Sequence, residues 1–400
     1  MSSAHRGPEG IFAWMCVLVF VYELGFGGVV PALALYARSF GVSQASVGLA
    51  VSVYGLARFL VALPAGRLAD GLGRRATLAA GGVVTLAGNL VCAYAPTFAL
   101  FLVGRFVAGA GAALVLNGSQ IVLADITTRA RRGRTMAMYQ STFLVASSLG
   151  PLPGGLLADR LGLGAPFLAY GLSGAVVSVL AWRRVPETKG RREPAAASTA
   201  AEPLPRFASQ LRLLTRHVGF VLVSAVAFVN AVARTGALFS LIPLLGSDRL
   251  SLTPERIGLA MALPSLVGLA IVYPSGMLVD RFGRKLVIVP ATLVAGASLT
   301  LFLLAPSYGW FVAACLVWGV ASGLSAGAPS AYVADVAPPG MNAAAMSGFR
   351  LLSDVGYVIG AVVLGLVADL FGVNTALGLA AALLVLAGLA FARFAPESYR

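Results

Sequence analysis

The sequence predicts an all-α membrane protein with twelve transmembrane helices arranged as two pseudo-symmetric six-helix bundles. The 400 residues are 58% hydrophobic and only 11% charged, whereas about a quarter of the residues in a soluble globular chain are charged. Apolar runs of about 20 residues, long enough to cross a bilayer as a helix, recur along the whole chain. The second part of the sequence also repeats the first at a constant offset of 210 residues.

Each apolar run is continuous and is separated from the next by a short charged segment. Continuous runs favour helices over the strands of a membrane β-barrel, which alternate in polarity over about ten residues. We expect the first run to be a retained helix rather than a cleaved signal, because it is long and contains Glu23. The twelve predicted spans cover residues 11–35, 47–67, 76–95, 98–124, 136–158, 165–183, 217–245, 257–278, 286–305, 309–334, 345–368 and 374–393.

The distribution of Lys and Arg predicts the orientation of these spans. If the N-terminus is cytoplasmic, 21 of the 29 Lys and Arg residues fall in cytoplasmic segments and only 4 in outer loops. Cytoplasmic loops of membrane proteins are enriched in these residues. Both termini are therefore predicted to lie inside the cell, in a membrane of the bacterial inner type.

The repeat divides the chain into two halves. The offset of 210 residues aligns prolines and loop aspartates as well as apolar residues: Pro64 with Pro274, Asp70 with Asp280, Asp125 with Asp335, and Asp159 with Asp369. Parallel repeats of this kind build one class of transporter. We predict halves at 1–184 and 213–400, joined by a cytoplasmic linker at 185–212 that is rich in Pro, Ala and charged residues.

The same features argue against other classes of protein. The net charge of +14 is explained by the Lys and Arg residues of the predicted cytoplasmic segments. This distribution favours contact with the lipid bilayer rather than with nucleic acid. Cys16, Cys92 and Cys315 fall in separate spans at unrelated spacings, so they predict no disulfide framework and no metal site. We see no nucleophile–base pair and no phosphate loop, and we predict neither an enzyme nor a cofactor. A receptor or scaffold with a transporter-like fold is a remaining alternative.

A glycine–aspartate–arginine motif stands between the second and third spans and recurs between the eighth and ninth. Its two copies read Gly66-Arg67-Leu68-Ala69-Asp70-Gly71-Leu72-Gly73-Arg74-Arg75 and Gly276-Met277-Leu278-Val279-Asp280-Arg281-Phe282-Gly283-Arg284-Lys285. Both resemble the loop signature of the major facilitator superfamily. Glycines let helix ends approach closely, and an aspartate at a helix boundary can face a helix N-terminus or an arginine. The resemblance implies a conformational latch formed by Gly66, Asp70, Gly73, Arg74, Gly276, Asp280, Gly283 and Arg284.

The fifth span contains a second motif, Gly150-Pro151-Leu152-Pro153-Gly154-Gly155. It resembles the signature of the family's proton-coupled antiporters, many of which export drugs. Proline opens the helix backbone and glycine allows close packing, so the residues that carry the resemblance are Gly150, Pro151, Gly154 and Gly155. The match is partial, since Ala137 and Ala146 replace upstream glycines, and a simple proline kink is the alternative interpretation.

Ionisable residues inside the spans are candidates for the transport site, because a charge at the bilayer centre costs at least about 2.5–3.5 kcal/mol. Arg350 and Asp354 stand four residues apart and are predicted to form a structural or gating pair. Arg105 begins an Arg-x-x-x-Gly-x-Gly pattern that the family associates with proton coupling. The predicted proton-coupling or substrate residues are Glu23, Arg105, Arg234, Asp354, Arg350 and Arg58.

Glu23 is the predicted proton carrier. A buried carboxyl group holds its proton tightly and a nearby arginine promotes its release, so a change of surroundings can drive proton transfer. A permanent Glu23–arginine ion pair and recognition of a cationic substrate are alternatives. Glu23 maps within one residue of Arg234 under the repeat, which predicts a similar depth for both residues.

The sequence thus predicts a secondary transporter that works by alternating access. The leading hypothesis is proton-coupled efflux of small amphipathic or cationic molecules, by a chain that suffices as a monomer. The alternative is an exporter or importer of an endogenous metabolite or lipid, which includes a proton-independent facilitator.

Overall fold

The protein is almost entirely helical. A computed structural model describes residues 8–127, 129–189, 207–338 and 341–397, and none of these residues forms a strand. The helices are α1 (Pro8–Ser39), α2 (Gln44–Leu72), α3 (Arg74–Ala93), α4 (Phe98–Ile126), α5 (Arg129–Leu149), α6 (Pro151–Leu161), α7 (Ala165–Arg184), α8 (Phe207–Leu214), α9 (Val218–Val232), a π-helical segment (Ala233–Leu241), α10 (Ile242–Leu250), α11 (Pro254–Phe282), α12 (Lys285–Leu304), α13 (Tyr308–Ser325), α14 (Ala328–Val336), α15 (Asn342–Phe371) and α16 (Val373–Phe394).

Twelve stretches of helix in the described part of the chain are long and apolar enough to cross a membrane. The predicted all-α class and the count of twelve are therefore confirmed. Three predicted spans are each built from more than one helical segment. Pro151 begins α6, because proline cannot donate the hydrogen bond that would continue α5. Pro329 stands in the same way in the first turn of α14.

The predicted seventh span contains the π-helical segment, which the apolar pattern does not reveal. The hydroxyl groups of Thr235 and Ser240 bond to backbone carbonyl groups, from Thr235 to Ala231 at 3.0 Å and from Ser240 to Thr235 at 3.0 Å. Side-chain bonds to the backbone compete with the regular helical ladder. Short π-helical turns are common at functional sites, and this one contains Arg234.

The described residues form two compact units. The first contains those within Met1–Val42, Val53–Ala197 and Thr253–Ala262, and the second contains those within Ser43–Ser52, Ser198–Leu252 and Leu263–Arg400. In the first unit α3 packs against α4 and α7, and α1 packs against α5 and α7. In the second, α12 packs against α13 and α16, and α9 packs against α15. The predicted linker remains a prediction, since residues 190–206 of it lie outside the described part.

Candidate functional site

Glu23 lies in the middle of the first span and is buried. Its exposed fraction is 2%, and it is surrounded by tyrosines from four helices of the first unit. The carboxyl group interacts electrostatically with Tyr54 of α2, Tyr139 of α5 and Tyr170 of α7, and with its neighbour Tyr22. The surroundings of Glu23 are therefore aromatic and contain hydroxyl groups.

Hydrogen bonds and ring contacts join these tyrosines. The hydroxyl groups of Tyr54 and Tyr170 are 3.1 Å apart, and that of Tyr22 is 3.0 Å from the Thr85 hydroxyl group. The Tyr22 and Tyr170 ring centroids are 5.3 Å apart in an edge-to-face arrangement. Phe26 stacks on Tyr54 at 5.4 Å. Aromatic pairs in these geometries each contribute about 0.5–1.5 kcal/mol beyond burial, so the surroundings of Glu23 are held in place.

Arg105 and Arg58 bring positive charge to the same cluster. Arg105 is 1% exposed, and its guanidinium carbon lies 4.4 Å from the centroid of the Tyr54 ring. Arg58 is half-buried one turn after Tyr54, and both arginines interact electrostatically with that tyrosine. The structure thus brings together three of the six predicted ionisable residues.

The other three predicted residues belong to the second unit. Arg234 is exposed in the π-helical segment, 5.7 Å from the ring centroid of Phe239. Arg350 is exposed and Asp354 is half-buried. Within the described residues no ion pair joins Arg350 to Asp354, so the predicted pair is not formed here. An exposed pair at this spacing contributes only a few tenths of a kcal/mol. The predicted relation of Glu23 to Arg234 remains a prediction.

The glycines of the fifth-span motif make close backbone contacts. A Cβ atom at Gly150 would lie 2.6 Å from the Leu24 carbonyl oxygen, and one at Gly154 would lie 2.0 Å from that of Gly28. One at Gly155 would lie 2.6 Å from the Pro254 carbonyl oxygen. Only glycine permits such close contact between two backbones, so Gly150 and Gly154 allow the α1 backbone to pack directly against α6.

Gly154→Ala is expected to lower the thermal stability of the protein strongly, because overpacking costs about 1–3 kcal/mol even where flexible side chains can adjust. Here the added methyl group would meet backbone atoms. The measurement is the melting temperature of the detergent-purified protein by size-exclusion chromatography after heating. Gly71→Ala is the matched control, since a Cβ atom there meets nothing within 4 Å. Equal melting temperatures for the two variants would contradict the packing argument.

The first loop motif forms a charge network around Arg74. The Arg74 guanidinium group pairs with Asp70 at 3.0 Å and with Asp125 at 2.8 Å, and it donates to the Ala69 carbonyl oxygen at 3.1 Å. The Arg74 and Asp125 side chains are only 8% and 2% exposed, whereas that of Asp70 is 73% exposed. The buried part of this network is therefore the Arg74–Asp125 pair.

The second copy of the motif repeats part of this arrangement. Arg284 pairs with Asp335 at 2.8 Å and donates to the Val279 carbonyl oxygen at 3.3 Å. The side chain of Asp280 lies outside the described part. A Cβ atom at Gly66 or Gly276 would meet nothing within 4 Å, so the close approach predicted for these two glycines is not realised in this structure.

Gly73 and Gly283 have a different role, because they stand in the turns that lead into α3 and α12. Their φ angles are +96° and +94°, in the left-handed region that favours glycine. Gly73 has no side chain to cap α3, and Glu187 supplies the cap. Its carboxylate accepts from the Arg74 backbone N–H at 3.0 Å and from that of Arg75 at 3.3 Å. A carboxylate at a helix N-terminus also stabilises the helix dipole.

Sequence reasoning missed Asp125, Asp335 and Glu187 as functional candidates. All three could have been found from the repeat, since Asp125 aligns with Asp335, and Pro186-Glu187 aligns with Pro396-Glu397. Thr188 is buried and adds a further contact, donating to Asp125 at 3.2 Å. Asp125, Glu187 and Thr188 extend the first loop motif into a network that joins α3 to α4 and to the segment after α7.

Protonation of Glu187 is expected to weaken this network. Burial alone would raise the pKa of Glu187, but backbone hydrogen bonds from Arg74, Lys189 and Arg75 outweigh it and lower the pKa below its ordinary value of 4.5. The stabilisation is therefore fully present above that value and is lost as pH falls below it. We expect Glu187→Gln to melt below the wild type at neutral pH and the difference to shrink below pH 4.5. A pH-independent difference would contradict this explanation.

Within the described part of the chain, no group of three or more His, Cys, Asp or Glu side chains is placed to hold a metal ion. The three cysteines are free thiols, and Cys92 and Cys315 are buried. Charged side chains are gathered around Tyr54 and in the two loop-motif networks.

Twelve membrane-spanning stretches, three intramembrane charges gathered around Tyr54 and a duplicated loop network are typical of a polytopic membrane transporter. The sequence model of the Major Facilitator Superfamily matches residues 15–253 and 223–400. The chain belongs to this superfamily, as the loop motifs indicated, and is a transporter rather than an enzyme.

Similar proteins include several named for drug resistance. An uncharacterized MFS-type transporter of Methanocaldococcus jannaschii is 25% identical over 89% of this chain and 91% of its own length. Multidrug resistance protein MdtL of Salmonella heidelberg is 28% identical over 72% of this chain and 71% of its own length. Multidrug resistance protein 2 of Bacillus subtilis is 24% identical over 75% and 74%, respectively.

Solved structures support the fold. A bacterial homologue of the human lysosomal transporter Spinster, in an inward-facing and unoccupied conformation, superposes with a TM-score of 0.79 at 16% identity, covering 98% of this chain and 97% of that one. The nucleoside transporter NupG gives a TM-score of 0.80 at 15% identity, covering 95% and 98%. At these identities the likeness concerns the fold alone.

Proposed function

We propose that the protein is a proton-coupled antiporter that exports small amphipathic or cationic molecules by alternating access. The observation that carries the proposal is the buried Glu23 at the middle of the first span, enclosed by tyrosines and accompanied by Arg105 and Arg58. A carboxyl group in such surroundings can bind one proton at a time, and its affinity for that proton depends on the distance of the neighbouring positive charges.

The same cluster supports the proposed class of substrate. A carboxylate attracts cations, and the faces of aromatic rings attract them as well. Phe26, Tyr54 and Tyr170 supply stacked and edge-to-face rings beside the carboxyl group. A cationic, partly apolar molecule would gain from both features, and its exchange with a proton on Glu23 would couple the two movements. The relatives named as multidrug resistance proteins favour export over import.

The two loop-motif networks are proposed to respond to the conformational change. The buried Arg74–Asp125 pair would keep α3 and α4 together, while the exposed Asp70 is available for new contacts in another state. Both termini are proposed to face the cytoplasm of a bacterial-type cell membrane, with the monomer as the working unit.

Purified protein in vesicles with an internal pH dye tests the proposal. Lipophilic cations, neutral amphipathic compounds and metabolites are offered from outside in turn, with protein-free vesicles as the control. Proton movement opposite to, and dependent on, movement of a lipophilic cation is the expected result. Solute movement that neither requires nor produces a proton gradient would overturn the antiport mechanism and favour a facilitator of metabolites.

A further inference from the structure

Arginines pack against tryptophan rings at the end of the first unit where α1 and α3 begin and α7 ends. The guanidinium carbon of Arg75, in the first turn of α3, lies 4.3 Å from the centroid of the Trp182 ring of α7. The guanidinium carbon of Arg184, the last residue of α7, lies 4.9 Å from the centroid of the Trp14 ring of α1. Since α7 packs against both α1 and α3, the two arginine–tryptophan pairs flank one helix end.

A third arginine lies between these pairs. Val177 and Ala181 are buried on the inner face of α7. Each residue of an α-helix turns by about 100°, so Arg183 points almost directly away from that face, and it is exposed. It stands between Trp182, which is 56% exposed, and Arg184. Three guanidinium groups therefore lie around the end of α7.

The positive charge of these arginines is not neutralised within the described part of the chain. No ion pair there involves Arg75, Arg183 or Arg184, and the Nε atom of Arg75 is buried without a hydrogen-bond partner. The carboxylate of Glu187 is close by, but it accepts from the backbone N–H groups of Arg74 and Arg75 as the cap of α3. The three guanidinium groups can therefore bind an anion.

An exposed apolar stripe on α7 leads up to Arg183. Leu172, Val176 and Val179 are 54%, 45% and 50% exposed, and their spacing of four and three residues continues by four to Arg183, so all lie on one face of the helix. The stripe is about 16 Å long. This is about half of the 30 Å hydrocarbon core of a bilayer, so the stripe has the length of one leaflet.

The repeat shows that the helix ends do not need these pairs for their packing. In the second unit Lys285 stands at the position of Arg75, and its ammonium group donates to the Ala395 carbonyl oxygen at 2.8 Å. Ala392 stands at the position of Trp182. The corresponding helices α12 and α16 pack against each other all the same. A role in binding explains why one unit has the arginine–tryptophan pair and the other does not.

From these contacts we infer that Arg75, Arg183 and Arg184 form a binding site for the phosphate group of an anionic phospholipid, whose acyl chain lies along the stripe on α7. The planar guanidinium group can bind two phosphate oxygens at once, and stacking on an aromatic ring holds that plane in place. Basic pockets between transmembrane helices bind anionic headgroups in other membrane proteins. In the proposed orientation, the site faces the cytoplasmic leaflet.

Native mass spectrometry of the detergent-purified protein, titrated with phosphatidylglycerol, tests the inference. An arginine near a membrane surface contributes about 1 kcal/mol to the attraction of anionic lipid. We therefore expect Arg183→Gln and Arg75→Gln each to weaken phosphatidylglycerol binding about fivefold. Arg393→Gln is the matched control, since Arg393 is exposed at the equivalent position of the second unit, and it should retain the wild-type affinity. Where Arg75→Gln does not fold, the exposed Arg183 still provides the test.

Phosphatidylcholine with the same acyl chains and glycerol phosphate without chains are titrated in parallel. We expect phosphatidylcholine to bind more weakly than phosphatidylglycerol to the wild type and equally to all variants. We expect glycerol phosphate not to displace phosphatidylglycerol at equal concentration. Wild-type affinity of Arg183→Gln for phosphatidylglycerol, or equal affinity of the wild type for the two lipids, would overturn the inference. Displacement by glycerol phosphate would overturn it in favour of a soluble phosphate compound.

Discussion

Glu23→Gln is expected to abolish substrate-dependent proton flux in reconstituted vesicles, down to the level of vesicles without protein. Glutamine retains the shape and hydrogen-bonding capacity of the side chain but cannot carry a proton. Glu23 is 98% removed from solvent, and the side chains of Tyr54, Tyr139 and Tyr170 interact with its carboxyl group. The measurement is the rate of internal pH change on addition of the transported compound.

Glu9→Gln is the matched control for this variant. Glu9 lies in the first turn of the same helix, α1, and is exposed, so the same chemical change should leave the flux at the wild-type rate. The two variants should also melt within a narrow range of each other, because Glu23→Gln removes no volume. Proton flux that survives Glu23→Gln would show that another group carries the proton.

Solute movement should be followed in the same vesicles. If Glu23 only recognises a cationic substrate, Glu23→Gln should weaken binding of cations while leaving proton coupling of neutral compounds intact. If Glu23 carries the proton, coupling should be lost for every compound. This comparison separates the proposed role from the cation-recognition role that the sequence also allowed.

Arg74→Ala is expected to cost the folded protein about 3–5 kcal/mol, the range for breaking a buried ion pair by removing one partner. The variant leaves the Asp125 carboxylate, whose side chain is 2% exposed, without its guanidinium partner. It also removes the bond from Arg74 to the Ala69 carbonyl oxygen. The expected observation is a large fall in melting temperature in detergent and a low yield of folded protein.

Two further variants test whether the loss of stability comes from the unpaired Asp125 carboxylate. Arg67→Ala changes an exposed arginine in the same motif and should alter the melting temperature little, since exposed charges contribute little. The double variant with Arg74→Ala and Asp125→Ala should be more stable than Arg74→Ala alone, because it leaves no unpaired buried carboxylate. A double variant no more stable than the single one would show that Asp125 is not the source of the cost.

The sequence by itself determined the features that depend on local pattern. The twelve spans follow from the thickness of the bilayer, which requires a minimum run of apolar residues wherever a helix crosses it. The repeat and the loop motif around Asp70 and Arg74 can likewise be recognised in the amino-acid sequence alone. The intramembrane position of Glu23 needed only its place in the middle of the first apolar run.

The partners of these residues were decided by the tertiary structure. A helical sequence fixes which residues share a face, but not which neighbouring helix that face meets, because the rotation and tilt of each helix are set by packing. The contact of Tyr54 with Arg105 and the contacts of Arg74 with Asp125 and Glu187 therefore join residues that are 51 to 113 positions apart. The π-helical segment around Arg234 could not be predicted for a related reason, because its hydrophobicity is that of an ordinary span. Its geometry becomes visible only in the structure, where the hydroxyl groups of Thr235 and Ser240 bond to backbone carbonyl oxygens.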